Sequence, residues 1–469
     1  MNKTKIVCTM GPSCNNIEII KDMMRAGMNI ARFNMSHGTH ESHKLQMDLV
    51  KQARHELGLP VAIMLDTKGP EIRIRQFENG YVNLQVGQKF TLTTDNVQGN
   101  EKIVSVTYEK LPEIVKKGTK ILLNDGFIEL VVDSVDGNLV NTIVTVGGEL
   151  SNNKSINIPG VSLNIKYLSD IDKSDIAFGV SQGVDCYSIS FVNSASDVED
   201  VRNYLELCGE DDAFIISKIE SAKGVENMNE IIAVSDGVMV ARGDMGVEVP
   251  FEKLPYIQKQ IIYEANRLGK LSITATQMLE SMINNSRPTR AEISDVANAI
   301  YDGSSAIMLS GETSAGKHPV LALSTMSKIA GETEIGLMND ELMFGFSAYA
   351  DVTNGIGNAS CVLAQSIGAK AILVNTKSGR SAIGISRFRP QQTIVALTPE
   401  LKSYYRLGMM WGVQPLFEKI YNNTEELLKS AREKSKKAGY VNVGDNVVQT
   451  SGVVTNGKGS DMIVVSKID

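Results

Sequence analysis

Short apolar, β-branched runs recur along the chain and alternate with segments whose apolar residues return every three or four positions. The runs are Lys5–Thr9, Met28–Phe33, Val61–Asp66, Asp185–Phe191, Ala213–Ile219, Asp236–Arg242, Leu271–Thr276 and Ser305–Ser310. They start 23 to 35 residues apart, except for one gap of 124. Each ordinary interval holds one strand and one helix. The segments 15–27, 42–58 and 196–209 open near Ser, Asn or Asp and end at Gly, as capped amphipathic helices do. Strand–helix alternation predicts a parallel sheet, and eight units predict a closed (β/α)8 barrel of roughly 250 residues.

The long gap breaks this rhythm. Residues 71–165 carry short strand-like runs at close intervals, with turn signals at Asn124-Asp125-Gly126 and Asp136-Gly137-Asn138. They predict an inserted all-β unit, a small β-barrel. From 340 onward the strand–helix alternation returns for a shorter stretch, which predicts a small open α/β domain over 340–469. The expected barrel is then 1–70 plus 166–339.

Composition narrows the class. Apolar residues make up 42% and charged residues 22% of the 469, as in soluble globular chains. A net charge of −7 argues against a general nucleic-acid or anionic-membrane binder. No apolar run approaches a membrane span, and no signal-peptide segment opens the chain. The five cysteines, at 8, 14, 186, 208 and 361, form no C-x-x-C pair, so no zinc site or disulfide framework is expected. A reduced, cytoplasmic setting is the expectation.

The candidate chemistry lies at strand ends, where barrels of this kind carry their active sites. Seven of the eight runs end in acid, base, amide or hydroxyl groups. These are Thr9; Arg32, Asn34, Ser36 and His37; Asp66, Thr67, Lys68 and Glu71; Lys218 and Glu220; Arg242, Gly243 and Asp244; Thr276 and Gln277; and Ser310 and Glu312. One such residue is ordinarily a helix cap or a solvated loop; seven strands in register are not. Residues two apart share a strand face, so Lys218 and Glu220 project together into the mouth. Arg32, Asn34 and Ser36 would share a face if that segment stays extended. Glu220 and Asp244, from adjacent strands, offer two hard oxygens suited to Mg2+. Arg32, Arg73, Arg242, Lys68 and Lys218 beside them suggest a phosphorylated, anionic substrate. The string 311–317, GETSAGK, nearly spells a nucleotide-binding P-loop, but His318 stands where that motif needs Ser or Thr.

The strings IARFNMSHG (30–38), LDTKGPEIR (65–73), ISKIES (216–221), VMVARGDMGVE (238–248), 274–303 around ATQMLESM, and MLSGETSAGKHP (308–319) closely resemble the pyruvate kinase family. The resemblance implies phosphoryl transfer from phosphoenolpyruvate to ADP, giving pyruvate and ATP. It implies Glu220 and Asp244 as ligands of Mg2+ or Mn2+, with Lys218 offsetting phosphoryl charge and Arg32 beside it. It implies a substrate carboxylate held by backbone N–H groups at Gly243 and Asp244, and Thr276 where the enolate is protonated. Asn34, His37 and Arg73 match nucleotide-side positions. Asn34, Ser36, Asp66 and Thr67 match potassium ligands. Glu71 stands where an acid goes with K+ dependence; a hinge-loop surface charge is its bland alternative.

By the same resemblance the β insertion is a lid over the mouth. At its return hinge, Ile165 to Asp172, relatives commonly carry a Lys where this chain has Ile171. Either Lys166 or Lys173 substitutes, or the nucleotide site is one cation weaker. Relatives also often carry basic residues where this chain has Asn193 and Ser194. In the tail, Thr376, Lys377, Ser378, Gly379, Arg380 and Ser381 match the family's loop for a phosphorylated allosteric effector, with a second loop at 452–460. Read without the resemblance, the first is either an anion nest or a plain Ser/Thr cap. The resemblance further implies a homotetramer, without the extra phosphotransfer domain of longer relatives. The competing class, an inactive metabolite-sensing scaffold, would be expected to lose Lys218, Glu220, Asp244 or Thr276; all four are present.

Overall fold

A computed structural model describes residues 2–161, 165–339, 352–452 and 461–469. Eight parallel strands close into a barrel in chain order: Lys5–Thr9, Ile30–Asn34, Ala62–Asp66, Cys186–Ile189, Ile215–Ile219, Gly237–Ala241, Leu271–Ala275 and Ala306–Leu309. The closing pair sets Lys5 opposite Ala306. The third and fourth strands pair directly, Met64 with Cys186 and Asp66 with Ser188, although 124 residues separate the starts of their runs. The insertion therefore leaves and rejoins the barrel between neighbours.

Alternation along each strand builds two apolar layers. Ile6, Cys8, Ile63 and Leu65 pack outward against the helices, whereas Val7, Met64, Ile216 and Met239 fill the interior. The interior layer does not stop at the barrel floor. It runs on into Ile372, Val374 and Ile394 of the C-terminal sheet and Met409 of the turn before its strand Val413–Phe417, so floor and tail share one core. Helix ends follow the local rules: Asn16 and Thr39 cap two helices through their side chains, and Gly27 and Gly58 close them in the left-handed conformation.

The insertion is a seven-stranded sheet plus a two-stranded ribbon. Its end strands, Ile72–Arg73 and Ile103–Ser105, meet through an Ile74–Val106 bridge, which rolls the sheet into a small barrel with its own core. The C-terminal sheet is five-stranded, parallel except for the edge strand Met462–Lys467.

Two boundaries correct the sequence reading. The second strand stops at Asn34, whose Oδ1 accepts the Ser36 N–H at 3.1 Å. The chain turns there, so Ser36 does not extend the Arg32–Asn34 face. The fourth strand stops at Ile189, which puts Ser190 and Phe191 at the mouth. Of the second expected effector loop, 453–460 lies outside the described residues.

Candidate active site

The mouth centres on Asp66, which is wholly buried. Arg32 Nε donates to Asp66 Oδ2 at 2.5 Å, and Arg32 Nη1 donates to Thr9 Oγ1 at 2.9 Å. Lys218 Nζ has three neighbours: Ser190 Oγ at 2.7 Å, Glu220 Oε1 at 2.9 Å and Asp66 Oδ1 at 3.4 Å. Glu220 Oε2 accepts the Phe191 N–H at 2.6 Å. Lys218 and Glu220 thus share a face, as their spacing predicts.

The charges are mutually supporting. Burial alone would raise Asp66, but Arg32 and Lys218 hold its carboxyl below the ordinary range. Burial alone would lower Lys218, but Asp66 and Glu220 outweigh it and keep the ammonium charged. Glu220 is less comfortable. Burial pushes it up against the pull of Lys218, and Asp244 pushes it further. Asp244 is likewise raised by burial against the pull of Lys218, with Glu71 and Asp125 adding to the push.

A buried carboxyl, Glu220, beside a half-buried one, Asp244, fits a hard divalent cation. Among the described residues no trio of His, Cys, Asp or Glu forms a closed metal site. The pair would therefore leave coordination positions for substrate oxygens and water.

Thr276 and Gln277 follow the end of the seventh strand, at φ +70° and +54°. A β-branched residue in the left-handed region is a backbone outlier, and such strain concentrates at functional sites. Thr276 Oγ1 accepts the Gly243 N–H at 2.8 Å and donates to the Ala275 carbonyl at 2.6 Å. Arg242 holds the strained turn: Nη2 donates to the Thr276 carbonyl at 2.6 Å, and Nη1 pairs with Asp295 at 2.8 Å. Arg242 is therefore committed to the protein, and it leaves the set of cations facing a substrate.

Glu71 is not a loose surface charge. Its side chain is 13% exposed, and Arg73 grips it through Nε at 2.8 Å and Nη2 at 2.7 Å. Burial raises the Glu71 carboxyl against that pull. Burial and the two guanidiniums of Arg73 and Arg32 lower His37, which keeps it neutral. Asn34, Ser36, Asp66 and Thr67 sit together at the ends of the second and third strands, where the Met35 N–H donates to the Asp66 carbonyl at 2.9 Å. The Asp66 carboxylate itself is taken by Arg32 and Lys218.

At the return hinge, only one of the two lysines has partners among the described residues. Ile171 is 60% exposed. Lys173 lies 3.8 Å from Asp170 and over the Tyr204 ring, and Lys166 is exposed. A cavity of about 540 Å3 opens between the insertion and the barrel, lined in part by Glu71, Phe191, Asn193, Asn157 and Glu248. It borders the cluster, although Lys218, Glu220 and Asp244 do not line it. Across it Asn157 Nδ2 of the insertion donates to Glu248 Oε1 at 3.0 Å.

In the tail, Gly379 stands at φ +86°, its N–H donates to Thr376 Oγ1 at 3.0 Å, and a helix follows over Arg380–Ser386. Thr398 Oγ1 donates to the Lys377 carbonyl at 3.2 Å, and Ser378 Oγ accepts from Arg380 Nε at 3.5 Å. Ser381 is buried in the first turn. Just before the loop, both amide atoms of Asn375 are buried without a hydrogen-bond partner among the described residues.

Sequence reasoning missed Ser190, the Phe191 N–H and Asp125. The signal for the first two was a polar residue ending the fourth strand, concealed because that strand was read through Phe191.

Comparison with known proteins agrees with this geometry. The profile of the pyruvate kinase barrel domain matches residues 1–323, and that of the pyruvate kinase alpha/beta domain matches 354–466. The pyruvate kinase of Sporosarcina psychrophila is 45% identical over 97% of this chain and 78% of its own length. That of Geobacillus stearothermophilus is 44% identical over 98% and 79%. That of Clostridium acetobutylicum is 42% identical over the full length of both. No helix among the described residues is long and apolar enough to cross a membrane. The chain belongs to the pyruvate kinase family, the glycolytic transferases that move the phosphoryl group of phosphoenolpyruvate onto ADP to give pyruvate and ATP.

Proposed function

We propose that Lys218 is the cation that meets the phosphoryl group in transfer, with Arg32 as its partner. The carrying observation is the ring of Ser190, Glu220 and Asp66 that keeps its ammonium charged while buried. A preorganised charge in a dry site stabilises transferring phosphoryl oxygens without reorganising. Glu220 and Asp244 would hold Mg2+ or Mn2+, which supplies charge neutralisation to the oxygens of the bound substrate. The backbone N–H of Asp244 would orient the substrate carboxylate, and that of Gly243 would join it on leaving Thr276 Oγ1, to which it donates in this structure. Thr276, fixed by its own strained turn, would hold the proton path to the methylene carbon.

On the nucleotide side we assign Asn34, neutral His37 and Arg73. With Ile171 in the hinge and Lys173 engaged by Asp170 and Tyr204, that side would have one cation fewer than the family pattern unless the exposed Lys166 reaches it. Asn34, Ser36, Asp66 and Thr67 are the proposed K+ ligands, and the half-buried Glu71 is the acid that goes with K+ dependence. The unit 71–165 would act as the lid on the 1–70 and 166–339 barrel, excluding water on closure. In the 340–469 unit, Thr376, Lys377, Ser378, Gly379, Arg380 and Ser381 would take the phosphate of an allosteric effector. The unpartnered Asn375 amide beside that loop supports a polar ligand there. Exposed Tyr256, Ile293 and Tyr301 on two neighbouring helices, with the open edge strand Met462–Lys467, support a homotetramer.

The test is pyruvate formation from phosphoenolpyruvate and Mg2+, with and without ADP, in K+ and in Na+ buffer. ADP-dependent, K+-stimulated turnover is expected. Turnover indifferent to K+ would sink the Glu71 assignment together with the four K+ ligands and leave the rest of the reading standing.

A further inference from the structure

Both linkers of the inserted unit converge on one residue outside the sets described above, Ser190. On the outgoing linker, Gly69 has φ +71°, and a Cβ there would come within 2.9 Å of Ser190 Cβ and 3.2 Å of the Phe191 ring. On the returning linker, Tyr167 Oη donates to the Ser190 carbonyl at 2.8 Å. Asp172 ties the two linkers together: its Oδ1 accepts the Gly69 N–H at 2.9 Å, and its Oδ2 accepts from Ser169 Oγ at 2.5 Å. Burial, with Asp197, Asp172, Glu220 and Asp66 nearby, pushes the Tyr167 phenol far up, so it stays a donor.

The other side of Ser190 faces the reaction. The residue is 2% exposed. Its Oγ accepts from Lys218 Nζ at 2.7 Å, and its single proton lies between the Thr67 carbonyl at 2.7 Å and Asp66 Oδ1 at 3.2 Å. Of the three neighbours of Lys218, Ser190 is the uncharged one and the closest. It fixes where the ammonium points without adding charge.

We propose that Ser190 is a positioning residue for Lys218, and that Tyr167 couples the lid's returning linker to it. Moving that linker would shift the Ser190 backbone, and with it the hydroxyl that aims the lysine. The inference rests on the assignment of Lys218 to the phosphoryl group.

The test is steady-state kinetics, with phosphoenolpyruvate and ADP each varied while the other substrate, Mg2+ and K+ are saturating, on Lys218→Gln, Ser190→Ala, Tyr167→Phe and the Ser190→Ala/Tyr167→Phe double variant. Ser190→Ala is expected to lower kcat by about tenfold or more, the effect of one hydrogen bond to a charged group, with both KM values within about threefold. Tyr167→Phe, which keeps the ring, is expected to lower kcat by a few-fold on its own and by nothing further in the Ser190→Ala background. A merely structural role would not give that kcat-only split or that non-additivity. Wild-type kcat in Ser190→Ala, with Lys218→Gln inactive, overturns the inference and spares the assignment. Effects that multiply in the double variant overturn the coupling. An active Lys218→Gln overturns the assignment itself.

Discussion

Lys218 at the mouth of the barrel and Lys5 at its floor are both closed off from solvent, at 9% and 2% exposure. Their surroundings differ in kind. Lys218 touches two carboxylates and a hydroxyl, and its ammonium is held above the ordinary range. Lys5 donates to the Val413 carbonyl at 2.7 Å, and burial lowers it to about 8 against a weaker pull from Glu334. Neighbouring Lys3 donates to the Pro390 and Gln391 carbonyls and is likewise lowered to about 8 by burial. Both floor lysines fasten the C-terminal domain to the barrel. A cation needed as a charge is surrounded by counter-charge; a cation needed as a donor is left to the mercy of desolvation.

The largest expected effect breaks the mouth. Lys218→Gln should lower kcat by about 10^2–10^3, the scale for losing one preorganised charge or donor, measured as pyruvate formed at saturating substrates. Lys5→Met should do the opposite kind of thing. It should leave kcat within about twofold, because the floor is remote from the strand ends that carry the chemistry. Its effect is on stability. With a folded value near 8 against 10.5 unfolded, the unfolded chain binds more protons between those pH values, so the native state gains stability as pH rises through that window. Below it, burying the charged lysine costs on the order of 3 kcal/mol. Lys5→Met should therefore stabilise the protein at pH 7 by up to about that much, less the lost Val413 bond, and the gain should vanish above about pH 10.5. Urea unfolding of both chains across pH 7–11 checks it; a constant difference would mean that Lys5 titrates alike in the folded and the unfolded chain, and that burial does not lower it.

How much of this was legible before the structure depended on whether a feature was local. The barrel rhythm, the Lys218–Glu220 face and the Glu220–Asp244 pairing follow from periods of two and from strand spacing, which tertiary contacts did not override. Ser190 was lost to a two-residue boundary error, because Phe191 and Val192 extend the apolar run past the strand that ends at Ile189. Arg242 was misjudged for another reason. Its spacing placed it correctly at a strand end, but only the fold brings Asp295 and the Thr276 carbonyl within its reach. The shared core of floor and tail joins Val7 to Met409 across some 400 residues, and no local pattern carries that.

The smallest expected effect separates strain from chemistry within the mouth. Thr276 and Gln277 both occupy the left-handed region, which costs a residue with a Cβ about 1–2 kcal/mol. Thr276 uses its position: its hydroxyl bridges the Gly243 N–H and the Ala275 carbonyl. Gln277 is exposed, and its contribution is the backbone conformation alone. Gln277→Gly removes the left-handed penalty but gives the unfolded chain more freedom, worth about 0.5–1 kcal/mol. The net should be a gain of about 1 kcal/mol or less, seen as a slightly higher urea midpoint with kcat unchanged. Thr276→Gly should bring the same relief while losing activity, since the bridge goes with the hydroxyl. A Gln277→Gly chain that is clearly less stable would show that the glutamine side chain, rather than the Arg242 clamp on the neighbouring carbonyl, holds the turn in place.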